Sequence, residues 1–227
     1  MSSGERKRWS KEVARPPAGA VAGDTSAGGP DAGTCRLLLV RHATAEGTGR
    51  FVGHQDVPLS KRGREKLELI CEKCLRHPVR AIYSSDLRRA RETAETVARH
   101  FGLPVKIRPQ LREIHFGEWE GLTWNQVTRR HSRLAARWME RFPLQRIPGG
   151  EPLRQFQRRI AVAMGDIVAA NAGQCALVVT HAGVIRFTLG RALGLPARGA
   201  FRLAQDPGAM NIIDYAPDSA IVRCING

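Results

Sequence analysis

From Arg36 onward the chain alternates short apolar runs with longer amphipathic stretches. Residues 36–40 (RLLLV) place four apolar side chains in a row, the mark of a strand buried on both faces. Residues 80–85 (RAIYSS), 105–108 (VKIR) and 176–180 (ALVVT) read as further strands. Between them, 60–76 reads as a helix with Ser60 as its N-cap, and 86–102 as a helix that Asp86 would cap and Gly102 would end. Residues 123–147 are predicted helical with a heavy arginine load, followed by a long helix over 152–173 and another over 183–193. Residues 210–215 and 220–225 read as a hairpin around a Pro-Asp-Ser turn. Strands alternating with helices predict an α/β fold, a three-layer sandwich with a mostly parallel central sheet and helices on both faces. No internal repeat is visible.

Residues 1–33 break this pattern. They are rich in Gly, Ala, Pro and Ser and hold few large apolar side chains, so they are expected to form a disordered tail ahead of one domain over 34–227. Glu5, Glu12, Asp24 and Asp31 argue against a mitochondrial presequence there. A hydrophobic content of 42% suffices for a packed core. No run approaches the roughly 18 apolar residues of a membrane span, and the N-terminus lacks an apolar signal-peptide core. Five cysteines without framework spacing suggest a reducing compartment, so a cytoplasmic location is expected. Cys71 and Cys74 fall within one predicted helix, with no second pair and no histidine at zinc spacing; packing thiols are the simpler reading, and no metal is expected.

Charge changes the picture only once it is located. The formal charge is +15, of which residues 1–33, with five basic and four acidic side chains, contribute +1, leaving +14 on the folded part. A domain this basic attracts anions, phosphorylated small molecules and nucleic acid alike. No helix-turn-helix, zinc-finger or RNA-recognition signature points to a specific nucleic-acid partner.

The candidate chemistry sits where the strands end. Arg41 and His42 follow the first strand without a turn, and His181 follows LVVT and opens the next helix. In open parallel sheets, sites form beyond the carboxyl ends of strands, and a helix start favours an anion. The helix after Ser84-Ser85 brings Arg88, Arg89 and Arg91, whose forked guanidinium groups suit phosphate. Only one need point toward the sheet end; for Arg88 and Arg91 a solvated outer face is preferred. In LREIHFGEWEG, Glu113, Glu118 and Glu120 lie near aromatic side chains, a setting that can raise a carboxyl pKa and make a proton donor. Imidazole is a competent nucleophile. The residues together suggest histidine attack on phosphorus, cationic clamping of its oxygens and protonation of the leaving group. Trp119, Trp124, Trp138 and Phe142 could stack on a substrate, although packing is the simpler role.

LLLVRHATAE, GRFVGHQDVPLSKRG, SSDLRRARETA, LREIHFGEWEG, PGGE and VVTHAGVIR, in this order, resemble the histidine phosphatase superfamily, the phosphoglycerate mutase-like group, over about 34–215. The resemblance implies a phosphoglycerate mutase-like sandwich with His42 as nucleophile, forming a phosphohistidine. It implies Arg41, Thr44, Arg89 and His181 as the holders of the phosphoryl group. Glu113 would be the proton donor and then the base for water, and neither metal nor cofactor would be needed. The family's Arg-His-Gly reads Arg-His-Ala here, with Ala43; glycine would allow closer approach and unusual dihedrals. FGEWEG looks like the phosphatase branch, and GRFVGHQDVPLS is similar to the α-ribazole phosphatase-like subgroup and to broad bacterial phosphatases. The expected reaction is hydrolysis of a small phosphomonoester such as α-ribazole 5'-phosphate. Mutase-type transfer, or an inert basic polyanion-binding protein, are the alternatives. Relatives place a cap over the pocket, here about 123–150, where Arg129, Arg130 or Arg133 would contact substrate if its charge has a selective role. No membrane partner is expected, and a homodimer is an open assembly.

Overall fold

The computed structural model describes residues 30–141 and 145–227. Most of the expected tail, and Phe142, lie outside the described residues. In chain order the elements are β1 (Cys35–Arg41), α1 (Lys61–Glu65), α2 (Leu67–Leu75), β2 (Val79–Ser84), α3 (Arg88–Phe101), β3 (Val105–Ile107), α4 (Trp124–Arg130), α5 (Ser132–Arg141), α6 (Leu153–Ala169), β4 (Cys175–Thr180), α7 (Ala182–Ala192), α8 (Ala197–Ala200), β5 (Met210–Ala216) and β6 (Ser219–Cys224). The six strands form one sheet in the order β3-β2-β4-β1-β5-β6. β1, β4, β2 and β3 pair in parallel, whereas β5 runs antiparallel to β1 and β6 antiparallel to β5.

The apolar run of β1 explains the three layers. Successive strand side chains point to opposite faces. Leu37 and Leu39 enter the core shared with Phe156 and Ile160 of α6 and Ile185 and Leu189 of α7. Leu38 and Val40 enter the opposite core with Ile70, Cys71 and Cys74 of α2 and Ala94 and Val97 of α3. Burying a leucine this completely contributes about 1.5–3 kcal/mol, so both faces of β1 hold the sandwich together. A third cluster is separate: Trp119, Val127, Ala135 and Ile147, with Phe51, Phe116, Trp124 and Trp138 against it, forms the core of the region spanning α4 and α5.

Two local expectations change. The helix expected over 60–76 is broken at Lys66, which ends α1 and bonds back to the Gly63 carbonyl. Ser60 caps α1 by accepting from the Gly63 amide. Asp86 does not cap the next helix; its carboxylate is held by both sides of the Arg112 fork. A carboxylate from another loop, Asp56, instead accepts from the Arg88 amide at the start of α3. Gly102 ends α3 in the left-handed region, φ 63°, where glycine escapes the Cβ penalty. Among the described residues no helix is long and apolar enough to cross a membrane.

Candidate active site

The sheet register brings the predicted residues together. Arg41 is the partner of Thr180 across β1 and β4, and Ser84 of β2 lies beside Val179. The three strands therefore end side by side, delivering Arg41 and His42, His181, and the start of α3 to one place. A cavity of about 180 Å³ opens there, with Arg41, His42, Thr44, Arg89 and Glu113 in its walls. His181 stands one layer behind, its ring 5.1 Å from that of His42. A larger cleft of about 260 Å³ near Ile160, Phe187 and Tyr215 lies at the other end of the sheet and gathers no comparable set of charged groups.

His42 is buried, and its Nδ1 lies 2.7 Å from the Ala43 carbonyl oxygen. A carbonyl only accepts, so Nδ1 carries the proton and Nε2 keeps its lone pair. The Arg89 Nε donates to that lone pair at 3.3 Å. Burial, then the charges of Arg89 and Arg41, pull the His42 pKa down to about 3 against the opposing Ala43 carbonyl. His181 is pushed well below the ordinary imidazole value, by burial first and then by Arg89 and His42. Both rings are neutral at neutral pH. Ala43 does not strain this turn: Asn226 is the only non-glycine with positive φ among the described residues, and the Ala43 side chain packs with Val40 and Leu59.

Arg89 is buried and Arg41 half-buried, its Nε out of reach of solvent, and neither has a carboxylate bonded to it. Arg89 is 2% exposed and spends its Nη atoms on the Gln55 and Gly53 carbonyls. Arg41 gives one Nη1 bond to the Gln205 carbonyl. Burial lowers both pKa values, and Glu113 opposes the effect. Four buried side-chain polar atoms lack a partner among the described residues, and two of them, Arg41 Nε and His181 Nδ1, are here. Unmet buried donors cost about 1–3 kcal/mol each. An anion would satisfy them.

Three carboxylates that look alike in sequence have three different environments. Glu118 is exposed. Glu120 accepts from the His54 and Phe116 amides and braces the loop; a side chain at Gly53 would collide with it, its Cβ falling 2.0 Å from Oε1. Glu113 lines the cavity, and its oxygens accept from the Ile114 and Gly183 amides at 2.9 and 3.0 Å. The second of these amides belongs to the first turn of α7. A Cβ at Gly183 would lie 2.2 Å from Glu113 Oε1, so a side chain there would push this carboxylate from its present place.

The residues that sequence reading missed are those that orient the others. Arg159 of α6 forks onto Glu151 at 2.7 Å through Nε and Nη2, and its Nη atoms donate to the Gln110, Arg112 and Glu113 carbonyls. His54 Nε2 donates to the same Glu113 carbonyl at 2.8 Å. The buried amides of Gln205 and Asn211 bond reciprocally, steadying the segment whose carbonyl holds Arg41. Spacing could have linked Glu151 to Arg159, eight residues apart on the entry to one helix; the carbonyl contacts depend on tertiary structure. Arg88 pairs with Glu92 on the exposed face of α3, and Arg91 is exposed as well. Arg129, Arg130 and Arg133 are exposed and do not line the cavity. Trp119, Trp124 and Trp138 pack against one another and Phe51 at ring separations of 5.4–6.3 Å. Cys71 lies near Glu68 and His100, their ligand atoms all within 4.8 Å, at a surface formed by α2 and α3; Cys74 is not in that group.

With this fold and this cluster of strand-end histidines and arginines, the chain belongs to the histidine phosphatase superfamily, branch 1, whose family model matches residues 37–227. It is an enzyme of that family, a phosphatase. The adenosylcobalamin/alpha-ribazole phosphatase of Salmonella typhimurium is 30% identical over 194 residues, 84% of this chain and 96% of its own. A Photorhabdus laumondii protein named probable phosphoglycerate mutase is 29% identical over 182 residues, 79% of this chain and 85% of its own. Among solved structures, mycobacterial glucosyl-3-phosphoglycerate phosphatase superposes with a TM-score of 0.76 at 26% identity, covering 85% of this chain and 98% of its own.

Proposed function

We propose that the protein hydrolyses a small phosphomonoester through a phosphohistidine on His42. One observation carries the reading: a buried, neutral His42 presents an unprotonated Nε2 beside the buried Arg89 guanidinium, the half-buried Arg41 and two unmet donors. In the proposed first step, substrate oxygens take up Arg41 Nε, Arg89 and the His181 Nδ1 proton, drawing Arg89 Nε away from His42. His42 Nε2 attacks phosphorus in line, the bond to the leaving oxygen breaks, and that oxygen takes a proton from Glu113. The Ala43 carbonyl, still bonded to Nδ1–H, stabilises the positive charge that develops on the ring. Glu113, now ionised, then accepts a proton from water as its oxygen attacks phosphorus. The P–N bond breaks, the ring returns to its neutral form and phosphate leaves. Thr44 lies in the same wall and completes the mouth of the pocket.

The rest of the cavity supports a substrate with an apolar body. Its outer wall is the 47–53 loop with Phe51 and Phe116, whose rings meet edge to face at 5.1 Å. A phosphate ester of a ring-bearing alcohol, such as α-ribazole 5'-phosphate, fits that combination of a charged floor and an aromatic wall. The resemblance to phosphoglycerate mutases keeps phosphoryl return to the substrate as the second reading. Hydrolysis of an aryl phosphate by wild type and by His42→Ala, with chelator present, tests the class. Metal-free turnover lost in the variant supports the proposal; equal turnover in both proteins contradicts it. A panel of α-ribazole phosphate, sugar phosphates, nucleotides and phosphoglycerates then separates hydrolysis from mutase transfer.

A further inference from the structure

The geometry points to Ser85 as a positioning residue that fixes the tautomer of His181, so that the buried Nδ1 presents a proton to the phosphoryl group. The inference rests on the phosphoryl-pocket reading above, but its first test does not. Ser85 is fully buried where β2 gives way to α3, and its Oγ makes two contacts. The Leu87 amide donates to it at 3.3 Å, and His181 Nε2 lies 2.9 Å away. A buried hydroxyl must place its own hydrogen. The Leu87 N–H can only donate, so His181 Nε2 is the one acceptor in reach among the described residues. Nε2 therefore accepts, and the single proton of the neutral ring lies on Nδ1.

That assignment explains why His181 Nδ1 is a buried atom without a partner. It is a donor waiting for an acceptor. The opposite tautomer would turn a lone pair toward an incoming anion and repel it. Because burial and the charges of Arg89 and His42 hold the ring neutral, its tautomer, not its charge, decides whether it attracts or repels phosphate. The arrangement mirrors His42, where the Ala43 carbonyl holds the proton on Nδ1 so that Nε2 can attack. A serine donor and a carbonyl acceptor thus give two neighbouring histidines opposite roles: the nitrogen of His42 left to the substrate is bare, and that of His181 is protonated.

The test begins with the unmodified full chain. Two-bond nitrogen–proton correlation of its histidine rings, with the His181 signals identified by their loss in His181→Asn, is expected to show Nδ1 protonated and Nε2 bare. A protonated Nε2 at neutral pH overturns the inference without reference to activity. In Ser85→Ala the majority Nδ1–H form is expected to be lost. Orthovanadate affinity and kcat/KM should fall about tenfold to 100-fold, in a variant that stays folded at the assay temperature. Ser85→Thr, which retains the hydroxyl, should restore the tautomer. Retention of the Nδ1–H form and of full activity in Ser85→Ala would also overturn it. If the tautomer follows Ser85 but no phosphohistidine can be trapped, the mechanism fails while the Ser85 assignment stands.

Discussion

The floor of the pocket and the region spanning α4 and α5 are both rich in arginine, and they use it in opposite ways. On the floor, Arg89 is buried and Arg41 half-buried, and both are fixed by backbone carbonyls beside an imidazole. In the other region, Arg129, Arg130, Arg133, Arg137 and Arg141 are exposed, and the buried positions belong to Trp119, Val127 and Ala135. A guanidinium taken from water is costly unless an anion or a well-placed acceptor compensates. A solvated one costs little and contributes little. Charge density along the chain therefore does not locate the site; buried, incompletely satisfied charge does.

The contrast gives an ordered set of experiments. The largest effect is expected from His42→Ala, which should lower kcat for any phosphomonoester by more than about 10,000-fold; retained turnover would remove the floor from the chemistry. Glu113→Gln should lower kcat for an alkyl phosphate by about 100- to 10,000-fold while sparing an aryl phosphate whose leaving group needs no proton. Equal losses on both substrates would deny Glu113 the role of acid. Arg159→Gln, which frees the Glu113 loop from outside the pocket, should cost up to about 100-fold in kcat with a smaller change in KM. Arg159→Lys should not restore the rate, because a single ammonium cannot reproduce the fork on Glu151. Replacing Arg129, Arg130 and Arg133 together by glutamine should change kcat/KM for a small substrate by about twofold or less. A change in substrate preference there would return the α4 and α5 region to the site.

Protonation separates the two regions as well. His42 has a folded pKa near 3, below the ordinary value of 6.5, so the unfolded chain binds the proton more readily between those limits. The stability from keeping the ring neutral is present above about pH 6.5 and is lost as pH falls toward 3, at about 1 kcal/mol per pH unit for one such group. His181 shifts in the same direction. Acid titration of stability in wild type and in His42→Ala should show a shallower fall in the variant. An identical slope would mean that the His42 ring is not held neutral.

The sheet and the clustering of charged side chains at its strand ends were legible in the sequence because both depend on local pattern. LLLV followed by Arg-His announces a strand buried on two faces that ends at a site, and VVTH repeats the signal. Glu113 could be singled out from Glu118 and Glu120 only through the family motif, since nothing local distinguishes the three. What stayed hidden depends on distant partners. Asp86 has the right spacing for a cap, but Arg112 takes its carboxylate and Asp56 supplies the cap from 32 residues upstream. Arg159 reads as one more surface arginine until the loop carrying Glu113 folds over it. Ser85 announces nothing until β2 and β4 place it beside His181.

In the proposed reaction the phosphoryl group passes through His42 Nε2. Rapid acid-free quenching of a single turnover, followed by peptide mapping and phosphorus–nitrogen coupling on the trapped protein, measures it directly. The account predicts one phosphoryl group on the peptide containing His42, bonded to Nε2, which disappears when water completes the cycle. Label on another residue, or release of phosphate with no phosphoenzyme formed within the first turnover, would contradict it.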